Sequence, residues 1–299
     1  MKEKFIKNLQ ENKIIEETFM IMKKLKTSED ELIAFIGDRS GDIKSIISYD
    51  NNILNVGDVI KVTAIIENGI MRVETFQKIE EYNIQDFLPT IDKDIDEIMN
   101  EIKDLSDLEF KSIEARTLDE YFFGNEKFIN RFKKGIGGLR QHHNYIGGLA
   151  EHTLNVMYLA RTLAYRYDSR YKEIAILGAK LHDIGKIEEY YTDGPFDVTI
   201  RGDMEGHIVI GVTMLEEAFN AKKDIYSEDF KSRIKGCMVQ HHGKVEYGSP
   251  KGANMEESFI VNFADSIDAV MNKISQIKEG TEVNTWSQYD RRIGTKLFL

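Results

Sequence analysis

Two hydrophobic periods divide this chain. Through residues 1–82 the apolar positions come in short runs rich in β-branched and aromatic side chains, at 14–22, 31–37, 43–49, 59–66 and 70–79. Turn formers separate them: Asp38-Arg39-Ser40-Gly41-Asp42, Gly57-Asp58, and Asn68-Gly69, the last a strong hairpin signal. From residue 83 the spacing lengthens to that of a helix. Ile91, Ile95, Ile98, Met99 and Ile102 mark one amphipathic helix, and 110–123 fits another. Beyond them His152, Val156, Leu159 and Leu163 share a face, as do His207, Ile210, Gly211, Met214 and Ala218. Phe230, Ile234, Cys237 and His241 make a third face running to a stop at Gly243, and Val261, Ala264, Asp265 and Asp268 a fourth. His182 and Asp183 follow the face of Ile174, Leu177 and Leu181, where Gly185 is expected to end the helix.

Five short strands with these turns suit a partly open β-barrel of the OB type, an architecture that often binds single strands. The expected fold class is therefore multidomain α+β, a five-stranded barrel followed by an all-α helical bundle. The boundaries read as 1–82 for the barrel, 83–140 for a charged helical linker, and 141–299 for the helical domain. Residues 187–206 and 243–254, interrupted by Gly and Pro, predict loops or a short hairpin beside any site on the helices.

Composition narrows the setting. The 299 residues can bury a sizeable core, and a single cysteine, Cys237, excludes a disulfide framework. The charged N-terminus has no apolar signal core and no run is long enough to span a membrane, so a reducing cytoplasm is expected. A net charge of −11 argues against an extended nucleic-acid-binding surface. It leaves room for a local one, because bound cations would neutralise acidic groups where a phosphate sits. Within 1–82, Phe19, Phe35, Tyr49 and Phe76 supply aromatics and Lys23, Lys24, Lys26, Lys44, Lys61 and Arg72 supply charge, although the segment holds 12 basic and 15 acidic residues.

The chemistry lies in the helical half. All seven histidines fall between 142 and 242, in EHT, LHDIGK, GHIVIG and QHHGK, and FADSID follows. A single histidine on an apolar face is ordinarily a hydrogen-bonded core residue. Five helices each turning His or Asp inward would instead bury several polar groups, at about 1–3 kcal/mol each if unpaired. One shared metal centre satisfies them together, and the absence of companion cysteines argues against structural zinc.

The pattern His152, His182-Asp183, His207, His241-His242, Asp265 resembles the HD-domain metal-dependent phosphohydrolases. The wording HHNYIGGLAEHT, LHDIGKIEEY, GHIVIG and HHGKVEYGSP, with TWSQYDRRIG near the end, resembles the YhaM-type 3′-to-5′ exoribonucleases. The match runs through the C-terminal half and is looser before His142, although NVGDVIKVTA is similar to the barrel of that branch. The resemblance implies an HD helical domain in which His152, His182, Asp183 and Asp265 hold a first divalent metal. Asp183 would bridge to a second held by His207 and His241, with His242 beside them. It implies manganese, with cobalt or iron alternatives, and hydrolysis of single-stranded RNA to nucleoside 5′-monophosphates, with single-stranded DNA also open. It further implies a homo-oligomer.

Around those ligands further roles are expected. Lys186, three residues after Asp183, is placed to meet a non-bridging phosphate oxygen and act with Asp183 in catalysis, the bland alternative being a surface lysine capping a helix end. Asp268, one turn after Asp265, is placed to accept from a ligand imidazole. Arg140, His142, His143, Tyr145 and Lys244 are expected to contact substrate. Gly135–Gly138 and Gly147-Gly148 read as turns, and no Walker, GxSxG or CxxC motif competes. An HD phosphohydrolase of a nucleotide second messenger remains the alternative, and so does a single-strand-binding module with a degenerate centre.

Overall fold

A computed structural model describes residues 2–28, 30–48, 54–139 and 143–299. The chain divides into two compact units, one of residues 1–90 with 191–196 and the other of 91–190 with 197–299.

The first unit is a closed barrel of strands β1 (Ile14–Thr27), β2 (Glu31–Asp38), β3 (Gly41–Ser48), β4 (Val59–Glu67) and β5 (Ile70–Ile79), in the order β1-β2-β3-β5-β4. All neighbours are antiparallel except β3 and β5. β1 runs past the expected end at residue 22. Its first half pairs with β4 and its second with β2, and two register shifts, at Ile21/Lys23 and Lys24/Lys26, let it turn the corner. Lys23 and Lys26 are therefore strand residues that face solvent. Phe19 is not available for stacking on a ligand, because it is fully buried in the barrel core with Ile21, Ile36, Ile60 and Met71. Phe35 and Phe76 are half-buried, while Tyr49 lies outside the described residues.

In the second unit come α1 (Ile95–Glu109), α2 (Ile113–Phe123), α3 (Glu126–Lys134), α4 (Gly148–Arg166), α5 (Lys172–Leu181), the single turn α6 (Lys186–Glu189), α7 (Ile200–Ala221), α8 (Glu228–Gln240) and α9 (Glu256–Glu279). Several starts are capped by side chains: Asp94, Ser112, Asn125, Thr199 and Ser227 each accept from a backbone N–H two or three residues on. Of the stretch expected to be a linker, residues 83–90 belong to the barrel unit and 91–139 to this bundle. Ile98, Ile102, Leu105, Phe122 and Phe132 share one core with Leu149, Val156, Leu177, Leu215 and Val261. Burying such side chains contributes roughly 1.5–3 kcal/mol each, a gain a solvated connection would forgo. Among the described residues no helix is long and apolar enough to cross a membrane.

Candidate metal centre

Asp183 sits where five helical elements deliver their polar groups. Its Oδ2 lies 3.4 Å from Nε2 of His152 on α4 and 3.3 Å from Nε2 of His182, the cap of α5. Its Oδ1 lies 3.6 Å from Nε2 of His207 on α7 and 3.7 Å from Nε2 of His241 at the end of α8. The two oxygens of one carboxylate thus face two separate imidazole pairs. Asp265 of α9 closes the first pair, its Oδ1 3.3 Å from His152 Nε2. His242 stands beside the second, with His207 and His241 close enough to share an ion.

The far nitrogens explain why the rings point this way. His182 Nδ1 donates to the Ala179 carbonyl at 2.7 Å and His241 Nδ1 to the Met238 carbonyl at 2.6 Å. His152 Nδ1 donates to Asp268 Oδ2 at 2.6 Å. His207 Nδ1 faces the Glu189 carboxylate at 3.2 Å. Carbonyls and carboxylates only accept, so each Nδ1 carries a proton and each Nε2 is turned to the centre. Asp183 Oδ1, His207 Nε2, His241 Nε2 and His242 Nδ1 are buried there without a hydrogen-bond partner. Asp183 Oδ1 and the Nε2 atoms of His207 and His241 are thus electron-pair donors with no protein N–H aimed at them, a set that a divalent cation fits.

Charge agrees with this geometry. Burial alone would raise the Asp183 carboxyl, but His182 and Lys186, with His152 beside them, hold it well below the usual range. Asp265 is likewise depressed against burial, chiefly by His152. Burial works against a proton on His152, yet hydrogen bonds to Asp183, Asp265 and Asp268 outweigh it and raise that imidazole well above its ordinary value. His241 goes the other way. Burial, reinforced by His242 and His182, pushes it well down and favours the neutral imidazole.

Two glycines make the approach possible. Gly206, just before His207, has φ +71° and breaks α7 into two segments, so the kink sets where His207 points. Gly185 does not end a helix by a left-handed turn; its φ is −63°. It is a contact glycine, since a Cβ there would lie 2.0 Å from the His207 carbonyl oxygen.

The structure brings together His152, His182, Asp183, His207, His241, His242, Asp265, Asp268 and Lys186. Lys186 is no surface cap: it is only 7% exposed, with its ammonium 2.6 Å from Asp183 Oδ2 and 2.7 Å from the Gly137 carbonyl. His143 is buried and hydrogen-bonded to Asp268, and Tyr145 is half-buried beside it. Lys244 is exposed, its ammonium 5.8 Å from the centre of the Tyr247 ring. Arg140 and His142 lie outside the described residues. Glu189 was not foreseen, because nothing in KIEEY marks which of two adjacent glutamates will face a histidine 18 residues on.

Residues 149–270 match the HD domain family model. The 3′-5′ exoribonuclease YhaM of Bacillus subtilis (strain 168) is 27% identical over 268 residues, covering 86% of this chain and 84% of that protein. The YhaM of Bacillus pumilus (strain SAFR-032) is 27% identical over 272 residues with the same coverage. The YhaM of Bacillus velezensis is 28% identical over 209 residues, 70% of this chain and 65% of that one.

Proposed function

We infer that this chain is a YhaM-type 3′-to-5′ exoribonuclease, a hydrolase whose chemistry lies in its HD domain. The observation that carries the reading is the division of Asp183, one oxygen toward His152 and His182 and the other toward His207 and His241. Two divalent cations fit that division. His152, His182, Asp183 and Asp265 would hold one, and Asp183, His207, His241 and His242 the other, with manganese the ion proposed first and cobalt or iron next. When bound, such a pair supplies the positive charge that lowers the pKa of a water and offsets charge on a phosphate.

The protein's own groups do the rest. The Nδ1 anchors fix four rings in one tautomer, so no rotation is needed when substrate arrives. The Lys186 ammonium, buried beside Asp183, is the protein cation placed to meet a non-bridging phosphate oxygen.

Single-stranded RNA is the proposed substrate class, with single-stranded DNA tested beside it. The barrel's register supports this. Lys23 on β1, Phe35 on β2 and Lys44 on β3 stand directly opposite one another, and the neighbouring row runs Lys26, Ile33, Ile46, Arg72. Cations interleaved with an aromatic and apolar surface suit a charged backbone carrying flat bases. A homo-oligomer is part of the proposal, supported by the exposed stripe Phe259, Phe263, Ile267 and Met271 on α9.

The test is a substrate panel. Manganese-loaded protein should degrade single-stranded RNA to 5′-mononucleotides and leave cyclic and hyperphosphorylated nucleotides intact. Turnover of those nucleotides without RNA degradation would move the protein to the second-messenger class.

A further inference from the structure

Among the described residues, one buried histidine lies outside the proposed ligand set. His143 is 1% exposed and sits on no helix, with φ +52°, a conformation rare for residues other than glycine. Its carbonyl accepts from the backbone N–H groups of Gly137 and Tyr145, both at 2.9 Å. Gly148, opening α4, packs so near that a Cβ would lie 2.2 Å from that carbonyl oxygen. The backbone is fixed where few residues would settle, and the result is a ring aimed inward.

That ring joins two carboxylates. Nε2 donates to Asp268 Oδ2 at 2.7 Å, the same oxygen that accepts His152 Nδ1–H at 2.6 Å, while Asn155 donates to Asp268 Oδ1 at 2.8 Å. Nδ1 lies 2.8 Å from the Tyr145 hydroxyl, which donates to Glu151 Oε2 at 2.5 Å. Lys93 holds the other Glu151 oxygen at 2.8 Å, and the His143 backbone N–H donates to Asn272 Oδ1 at 3.1 Å. His143, His152 and Asp268 lie close enough to suggest a further cation site. Hydrogen bonding excludes it: both nitrogens facing Asp268 carry protons, so neither has a lone pair for an ion.

We propose that His143 is a positioning residue of the metal centre: braced by Tyr145 and Glu151, it fixes Asp268 and so sets the ring orientation and Nδ1–H tautomer of His152. This replaces the substrate contact expected of His143 and Tyr145. It rests on the metal reading of the centre, and metal binding measured without RNA separates the two. Asp268 keeps its bond to His152 when His143 is lost, but with one fewer donor it can swing, and the imidazole with it. Groups behind a ligand histidine set metal affinity in this way, commonly by 10–100-fold.

The experiment is calorimetric titration of the full chain with manganese chloride at one pH. His143→Ala should weaken one manganese equivalent by about 10–100-fold and leave any second within about twofold. His143→Gln, whose amide can still donate to Asp268, should recover most of that loss. The double variant His143→Ala/Asp268→Asn should bind no more weakly than Asp268→Asn alone, because His143 acts through Asp268. Unchanged manganese affinity in His143→Ala, or losses that add in the double variant, would overturn the proposal. So would a lower thermal midpoint of the metal-free variant with affinity intact, the mark of a purely structural residue. If His143→Ala does not fold, Tyr145→Phe removes only the bracing hydroxyl, and a selective loss supports the proposal while wild-type affinity overturns it. A wild-type chain that bound no manganese would overturn the metal reading as well.

Discussion

The Lys186 ammonium lies 2.6 Å from Oδ2 of Asp183, the oxygen that also faces His152 and His182. Its second bond is to the Gly137 carbonyl, at 2.7 Å. Lys186→Ala is expected to lower kcat by about 10²–10³, roughly 3–4 kcal/mol, with manganese content unchanged. Lys186→Arg should rescue only in part, since a planar fork cannot replace a compact ammonium in that space. Single-turnover cleavage of a short RNA measures it, and an unchanged rate would leave Lys186 a purely structural partner of Asp183.

Gly185 offers a selective lesion. Its Cβ in Gly185→Ala would lie 2.0 Å from the His207 carbonyl oxygen and 2.8 Å from Gly211 N, both backbone atoms. Relief requires α7 to move, at about 1–3 kcal/mol of stability, and His207 moves with it. Metal analysis in excess manganese should find two ions per wild-type chain and fewer than two in the variant. Two ions in both would show that the His207 side tolerates displacement, and one ion in the wild type would remove the second site.

In the proposed centre a proton and a cation would compete at His152. Its folded pKa is raised, so its contribution to the stability of the metal-free chain is present below the ordinary histidine value and lost as pH rises through the folded one. At neutral pH manganese must displace that proton, so apparent affinity should fall as pH falls, with about one proton released at the first site. Titration calorimetry in two buffers of different ionisation enthalpy gives the number. Zero release would contradict the raised imidazole.

The barrel row makes its own claim. Phe35→Ala, or Lys23→Glu with Lys44→Glu, should weaken binding of long single-stranded RNA while sparing cleavage of short oligonucleotides. Losing one stacked base costs about 1–3 kcal/mol. Equal effects on long and short substrates would show that the row supports the fold and not the strand.

Much of this centre was legible in the chain. Helical periodicity marks the faces that carry His152, His207, His241 and Asp265, because a ligand must point inward as a core residue does. Periodicity is blind to what stands behind a ligand. Glu189 reaches His207 across a turn and a helix start. Gly137 bonds both His143 and Lys186, donating its N–H to the His143 carbonyl and accepting the Lys186 ammonium on its own carbonyl, from a stretch that reads only as a turn. Gly185 carries the same residue type as a helix stop but answers to a neighbouring backbone, which a single sequence does not display. Residues 83–140 read as a linker because their charge is conspicuous, whereas Leu105, Phe122 and Phe132 decide where the helices of 95–134 pack.

The central claim is that Asp183 organises a cation-dependent centre that shortens RNA from its 3′ end. The direct measurement uses one RNA oligonucleotide labelled in turn at each end, with manganese-loaded wild type, the same protein in chelator, and Asp183→Ala. The 3′ label should leave at once as a 5′-mononucleotide and the 5′ label should pass down a ladder of shortening products. Both should stop in chelator and in the variant. Immediate release of the 5′ label, or a ladder that persists in chelator or without Asp183, would contradict the account.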